Sequence, residues 1–401
     1  MNPLHTTAGG TGRRRVLAAA AGGAAAALGW TVPASAAGAA PRPHARRAYI
    51  GGFTLGEYGL PGLPGIGIAA VRDDGGLRLL GWRRGIVNPS FLALSPDSRH
   101  LYAVSQLPGG ATGSVHAYRI AGDRLAAVGR PRSSEGAAPV HLAVHPAGRF
   151  LLTADYDSGH LAVLPVRADG GLADAVEVVR HRGRGPHPVE QRGPHPHMIA
   201  FDPPGRRVLV PDKGDDHVYV YDFDARTGRL RLRDRVRLGS GIGPRHLVFH
   251  PRGHLAYVTN ELGHTVSVLA YDAGAGTLRP LAHAAVAPAG LDPRNAPSAL
   301  HLTGDGSLLV TADRGLDTVE SFRLGDSGRT LTLVESQPVT AKAPGTRWPR
   351  DVALDRSDRY VYTANQAGQS VSAFRLDPAT GRLSPAAPPL AVASPSCVLL
   401  R

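Results

Sequence analysis

Two sets of positions in this 401-residue sequence carry side chains suited to acid–base and anion chemistry, and a recurrent proline sets the place of both. The proline returns roughly every 50 residues, at Pro89, Pro139, Pro196, Pro244, Pro297, Pro349 and Pro395. Directly after it stand Ser90, Val140, His197, Arg245, Ser298, Arg350 and Ser396. Farther along, at one constant distance from the proline, stand Gln106, Tyr156, Lys213, Glu261, Arg314 and Gln366. The two sets together hold one imidazole, one carboxylate and the cations Lys213, Arg245, Arg314 and Arg350. Gathered at one opening, they would suit an anionic, oxygen-rich small molecule and set a base beside it. A small or turn-forming residue precedes each member of the second set: Ser105, Asp155, Asp212, Asn260, Asp313 and Asn365. Such residues hydrogen-bond their own backbone at turns and belong to the scaffold.

The elements that must position these side chains are strands. Each unit reads as a proline, an alternating apolar strand, a turn with Pro or Asp and often Gly, then a second apolar strand. In the Pro244 copy, Leu247-Val248-Phe249 is followed by the turn His250-Pro251-Arg252-Gly253, then Leu255–Thr259 and a third strand Thr265–Tyr271. Third strands recur at Ser114–Ile120, His160–Val166, His217–Phe223, Thr318–Leu324 and Ser370–Leu376, and fourth strands are short, as in Leu230–Val236. The period of two is that of a strand, not of a helix. One unit is split: the stretch from Ser394 holds only a first strand, while Ala48–Thr54 and Ile66–Val71 lack one. The fold expected is all-β, a seven-bladed β-propeller closed by pairing of the C-terminal strand with the N-terminal blade, which protects the sheet edges. In such a ring the first strand descends innermost from the top face and the second climbs back. Both chemical sets should therefore meet at the top mouth of the central channel.

The remaining features bound the function. Residues 1–36 read as a twin-arginine-type export signal, with Arg13-Arg14-Arg15 before an Ala/Gly-rich run to Trp30 and Ala34-Ser35-Ala36 as cleavage site. The run is short and Gly-rich for a span, so the expected protein is exported, secreted or in the cell envelope, with no stable membrane insertion after cleavage. Residues 37–47 form a linker and 48–401 the propeller. Losing the signal takes the formal net charge from +13 to +10, yet the arginines are scattered over turns and form no stripe, so no nucleic-acid partner is expected. Cys397 is the only cysteine, which excludes an intramolecular disulfide. No Gly-x-Ser-x-Gly elbow marks a serine hydrolase, and no Gly-rich loop opens a helix for a nucleotide. The His-rich segment from His181 to His197 lacks convincing ligand spacing, so neither metal nor cofactor is expected. Nothing in the sequence specifies an oligomeric state.

Several segments together carry a resemblance: Tyr49-Ile50-Gly51-Gly52-Phe53-Thr54, Asn88-Pro89-Ser90-Phe91-Leu92, Gly193-Pro194-His195-Pro196-His197, Asp212-Lys213-Gly214-Asp215-Asp216, Gly243-Pro244-Arg245-His246, Asn260-Glu261-Leu262 and Trp348-Pro349-Arg350-Asp351. With these the chain, from Tyr49 to Leu400, resembles the seven-bladed-propeller lactonase family, which includes bacterial propeller-type 6-phosphogluconolactonases and fungal carboxymuconate cycloisomerases. The resemblance implies a lactonase, a carboxylic ester hydrolase acting on a sugar or aldonic lactone, with His197, Arg245, Glu261 and Arg314 as its catalytic residues. Lys213, Arg350, Gln366 and Tyr156 would bind substrate, with His195 at the rim. An imidazole near its reference pKa of ~6.5 can take a proton from water at neutral pH. Arg245 and Arg314 offer N–H forks to an oxyanion or a substrate carboxylate. Glu261 would orient an arginine or the histidine, or act as base if a dry site raises its pKa. At Glu190-Gln191 the family usually has Arg-Gln, so a cation that could meet a phosphate is missing here. Cycloisomerisation of carboxymuconate-like acids, and a non-catalytic propeller that binds a ligand or partner at the same mouth, stay open.

Overall fold

The computed structural model describes residues 46–287, 295–340 and 347–401. The expected export signal, residues 1–36, and the expected linker up to residue 45 lie outside the described residues. The rest forms seven antiparallel sheets in a ring, a seven-bladed β-propeller. Blade 1 consists of Pro395–Leu400, Arg47–Gly52, Ile66–Val71 and Leu77–Arg83. The C-terminal strand therefore closes the N-terminal blade, with Tyr49 opposite Leu399 and Ile50 opposite Val398.

Burial explains the strand chemistry. The second strands Phe150–Asp155, Arg207–Asp212, Leu255–Asn260, Leu308–Asp313 and Tyr360–Asn365 are buried along their whole length, because a neighbouring blade covers each face. They accordingly read as near-continuous runs of apolar and β-branched residues. The outermost strand Arg229–Arg237 faces solvent and is mostly charged. Seven apolar clusters among the described residues fall one at each blade interface. The cluster that shuts the ring joins Tyr362 and Ala364 of blade 7 to Ala48, Ile50 and Val398 of blade 1.

The hairpin between first and second strands places its fourth turn residue in the left-handed region, which is why Gly148, Gly205, Gly253 and Gly306 recur there. At the opposite end the ladder slips. In blade 5, Pro244 pairs with Asn260 but Leu247 pairs with Val258, so Arg245 and His246 face a single residue, Thr259. Such a bulge re-aims side chains, and comparable shifts occur beside Pro139, Pro297, Pro349 and Pro395. The residue after the proline is thereby turned toward the channel.

Two departures from the repeat appear. Blade 4 keeps only Ala200–Phe201 as a regular first strand, with Pro196 held to Asp212 by an isolated bridge. Blade 2 gains a fifth strand, Arg132–Ala137, alongside Thr112–Ala121. Its sequence, Arg-Ser-Ser-Glu-Gly-Ala, lacks the apolar alternation that marks the others.

Candidate active site

The bulges and the second-strand ends converge on a cavity of about 670 Å³ at the mouth of the channel. His197 and Arg350 of the first set line it, as do Gln106, Tyr156, Lys213, Glu261 and Arg314 of the second. This size suits a small-molecule ligand. A narrower recess opens off the cavity, sharing Gln106, Val140, His197 and Arg350 with it and adding Ser90 and Arg245.

Glu261 is the electrostatic centre. Its carboxylate meets Lys213 Nζ at 2.5 Å, Arg314 Nη2 at 2.5 Å and Arg245 Nε at 2.9 Å. The two arginine contacts are ion pairs whose N–H groups are not aligned for hydrogen bonds, whereas Lys213 does donate to Oε1. Burial alone would push the Glu261 carboxyl up, but Arg314, Lys213 and Arg245 hold it well below the usual carboxylate range. The idea of Glu261 as a base is therefore corrected: three cations keep it ionised and leave it little affinity for a proton. Its geometry is that of an anchor for the arginines.

His197 also departs from its reference value. Burial pushes the imidazole well below the usual histidine range, and Arg245, Lys213, Arg350 and Arg314 push the same way. It stands neutral at pH 7, its Nδ1 buried without a protein partner. Arg245 is brought down to about 9 by burial and by Arg314, with Glu261 opposing.

The four cations lie on the cavity or its recess, and part of their charge is met by neighbours. Lys213 also donates to Glu190 Oε2 at 2.8 Å. Arg350 donates to Gln366 Oε1 at 3.1 Å, and Gln366 Nε2 donates to Glu57 at 2.9 Å. Gln366 thus stands behind Arg350 and does not line the cavity. His195 is likewise set back: its Nδ1 approaches the Tyr156 carbonyl at 2.8 Å and its ring stacks on Tyr156 at 4.3 Å. Tyr156 lies between His195 and the cavity chemistry, edge-on to His197.

Some lining residues lie outside both sequence sets. Glu57 and Tyr58 come from the loop after Arg47–Gly52, the second strand of blade 1, and Tyr58 meets Trp348 edge-to-face at 4.8 Å. Trp348 directly precedes Pro349 and could have been read as a third member of the repeat pattern. Glu57 and Tyr58 belong to the split blade and have no counterpart in the repeat. No cluster of metal-binding side chains occurs among the described residues.

The family model described as "Lactonase, 7-bladed beta-propeller" matches residues 47–400. A 6-phosphogluconolactonase of Bacillus subtilis is 31% identical, over 78% of this chain and 86% of its own. Among solved structures, the periplasmic gluconolactonase of Pseudomonas aeruginosa has a TM-score of 0.80 at 31% identity, covering 88% of this chain and 98% of that one. A protein from Lactobacillus plantarum has a TM-score of 0.81 at 29% identity, covering 89% and 99%.

Proposed function

We propose, for a chain that belongs to the seven-bladed β-propeller lactonase family, hydrolysis of an unphosphorylated sugar or aldonic lactone by an exported protein. The observation that carries this reading is a neutral, buried imidazole at the junction of cavity and recess, next to arginines fixed by one ionised carboxylate. Lactone opening needs a base for water and donors for the oxyanion of the tetrahedral intermediate. His197 takes the water's proton. Arg314 offers its guanidinium to the developing oxyanion from the cavity wall, and Arg350 and Lys213 hold the substrate's other oxygens. Glu261 holds Arg245 and Arg314 in place, so that no reorganisation is required as charge develops. The proton on His197 then passes to the departing ring oxygen, giving the hydroxy acid.

Two carboxylates favour a substrate without phosphate. Glu190 and Glu57 line the cavity, and a phosphate dianion would face their charge, with Lys213, Arg245 and Arg314 already drawn to Glu261. The periplasmic gluconolactonase among the similar structures supports both an unphosphorylated substrate and export.

The test is a panel of phosphorylated and unphosphorylated lactones, assayed by acid release, with His197→Ala and His195→Ala beside the wild type. Unphosphorylated members should be hydrolysed faster. His197→Ala should cost at least the ~10²-fold of a lost general base, and His195→Ala less. Equal losses at the two histidines would reject this assignment. For export, intact mass of the extracellular protein should correspond to a start at or near Ala37.

A further inference from the structure

Equivalent residues of different blades spend their polar atoms differently. Among the serines that follow a repeat proline, Ser298 donates its hydroxyl to the carbonyl of Pro349 in the next blade at 2.7 Å, and Ser396 donates to the carbonyl of Ser90 at 2.8 Å. These hydroxyls staple neighbouring blades. Ser90 occupies the same position, yet its buried Oγ has no protein partner. The two glutamines of the second set differ in the same way. The Gln366 amide is engaged at both ends, by Arg350 and by Glu57, whereas Gln106 Oε1 is buried without a partner.

Ser90 and Gln106 line the same recess as His197 and Arg245, which carry buried unpartnered atoms of their own, Nδ1 and Nη1. Ser90, His197 and Arg245 are each more than nine-tenths buried. Buried polar atoms without partners are rare and call for an explanation, and here four such atoms belong to one recess. Its volume is about 10 Å³, close to the ~10–15 Å³ that a single water requires. A water forms two to four hydrogen bonds when enclosed, and the four atoms supply a matched set. Gln106 Oε1 and His197 Nδ1 accept; Arg245 Nη1 and Ser90 Oγ donate.

We propose that this recess seats the hydrolytic water, with Ser90 and Gln106 as the residues that position it for His197. The proposal rests on the lactone-hydrolysis reading and adds to it the source and orientation of the nucleophile. The water gives one hydrogen bond to His197 Nδ1 and the other to Gln106 Oε1, and on attack it gives up the hydrogen bond from Ser90 Oγ, which frees one lone pair for the carbonyl carbon while Arg245 Nη1 keeps the other. On attack, the oxygen bonds to the lactone carbonyl carbon, its proton moves to His197 Nδ1, and the carbonyl electron pair becomes the oxyanion. When the intermediate collapses, the ring C–O bond breaks and its oxygen takes the proton from His197. A seat of this size admits water and excludes larger nucleophiles.

Two measurements test this independently. A crystal structure of the ligand-free protein, at a resolution that orders water, should show one water within about 3.2 Å of at least three of the four atoms. A dry recess, or the four atoms turned to protein partners, overturns the proposal whatever the activity. In kinetics, Gln106→Met should lower kcat by about 10²-fold through misplacement of the nucleophile, and Ser90→Ala by roughly tenfold. KM should stay within about threefold and melting curves should match the parent. In water–methanol mixtures the wild type should release only the acid, while Ser90→Gly should also form methyl ester. Unchanged kcat in both variants, or a change confined to KM, overturns the positioning role. An ordered water in a wild type that opens no lactone supports the seat and rejects the lactonase reading, so the two failures are distinguishable.

Discussion

Glu261 in blade 5 and Glu320 in blade 6 are both enclosed carboxyls, 7% and 0% exposed, yet the protein shifts their proton affinities in opposite directions. Burial pushes both upward. At Glu261 three cations overcome it. At Glu320 no cation is in contact among the described residues: its neighbours are the hydroxyls of Thr318 and, at 3.3 Å, Ser336, while Asp313 pushes its pKa further up. Enclosure therefore does not decide the proton affinity of a buried acid in this ring; the charged and polar groups around it do. One carboxyl organises the candidate site, and the other, its pKa raised, is a hydrogen-bonding group in a blade interior.

The largest effect should come from Glu261→Gln. It strands Arg245 and Arg314 around a neutral amide, leaves Lys213 to Glu190 alone, and should cost about 3–5 kcal/mol, the usual penalty for leaving buried charge unpaired. Turnover should fall by at least ~10²-fold as the arginines lose their anchor. Denaturant unfolding and steady-state kinetics read the two effects, and a loss below about 1 kcal/mol would erase the contrast with Glu320. The intermediate effect is on pH dependence. A base with a depressed pKa stays unprotonated to lower pH, so kcat/KM should hold level from pH 7 through ~6.5 and fall only well below it. An acid limb centred at or above 6.5 would mean that the cations around His197 do not act on it.

The smallest effect should come from Glu320→Gln, since a neutral acid and an amide are close in shape and charge. At pH 4 the two proteins should agree within about 0.5 kcal/mol. The sign at higher pH is fixed by linkage. Glutamate in the unfolded chain ionises above ~4.3, while burial and Asp313 hold the folded Glu320 carboxyl well above the usual range. The folded state then binds more protons, and wild-type stability falls as pH rises from ~4.3 toward the raised folded value. The glutamine variant lacks this slope and should melt higher than the wild type at pH 7, with the gap closing toward pH 4. A wild type that melts higher at pH 7 would show Glu320 to be ionised and paired.

Much of this architecture is legible in the chain because a propeller repeats one local problem. A proline, a period-two strand and a turn define each unit, so the split copy at Ser394–Leu400 and Ala48–Val71 announces the closure that the Tyr49–Leu399 pairing completes. The two chemical sets were also legible, since constant distance from the proline gives constant position in the blade. Illegible were the features that depart from the repeat. Arg132–Ala137 pairs as a strand through its backbone, with no side-chain signature. Glu57 and Tyr58 reach the cavity from a loop that occurs once. Gln366 and His195 hold the right places in the chain but are screened by Arg350 and Tyr156.

By itself, then, the sequence determined the all-β propeller, its seven blades, its closure and the two rings of positions that meet at the channel mouth, because each follows from periodicity along one chain. Only the tertiary structure decided what those positions are chemically. That Glu261 is ionised, that His197 is neutral, that Lys213 is shared between two carboxylates and that Ser90 alone of its serine set keeps a free hydroxyl are all consequences of contacts between blades. Proton affinity and hydrogen-bond capacity depend on the few ångströms around an atom, and no spacing along the chain encodes which neighbours fill them.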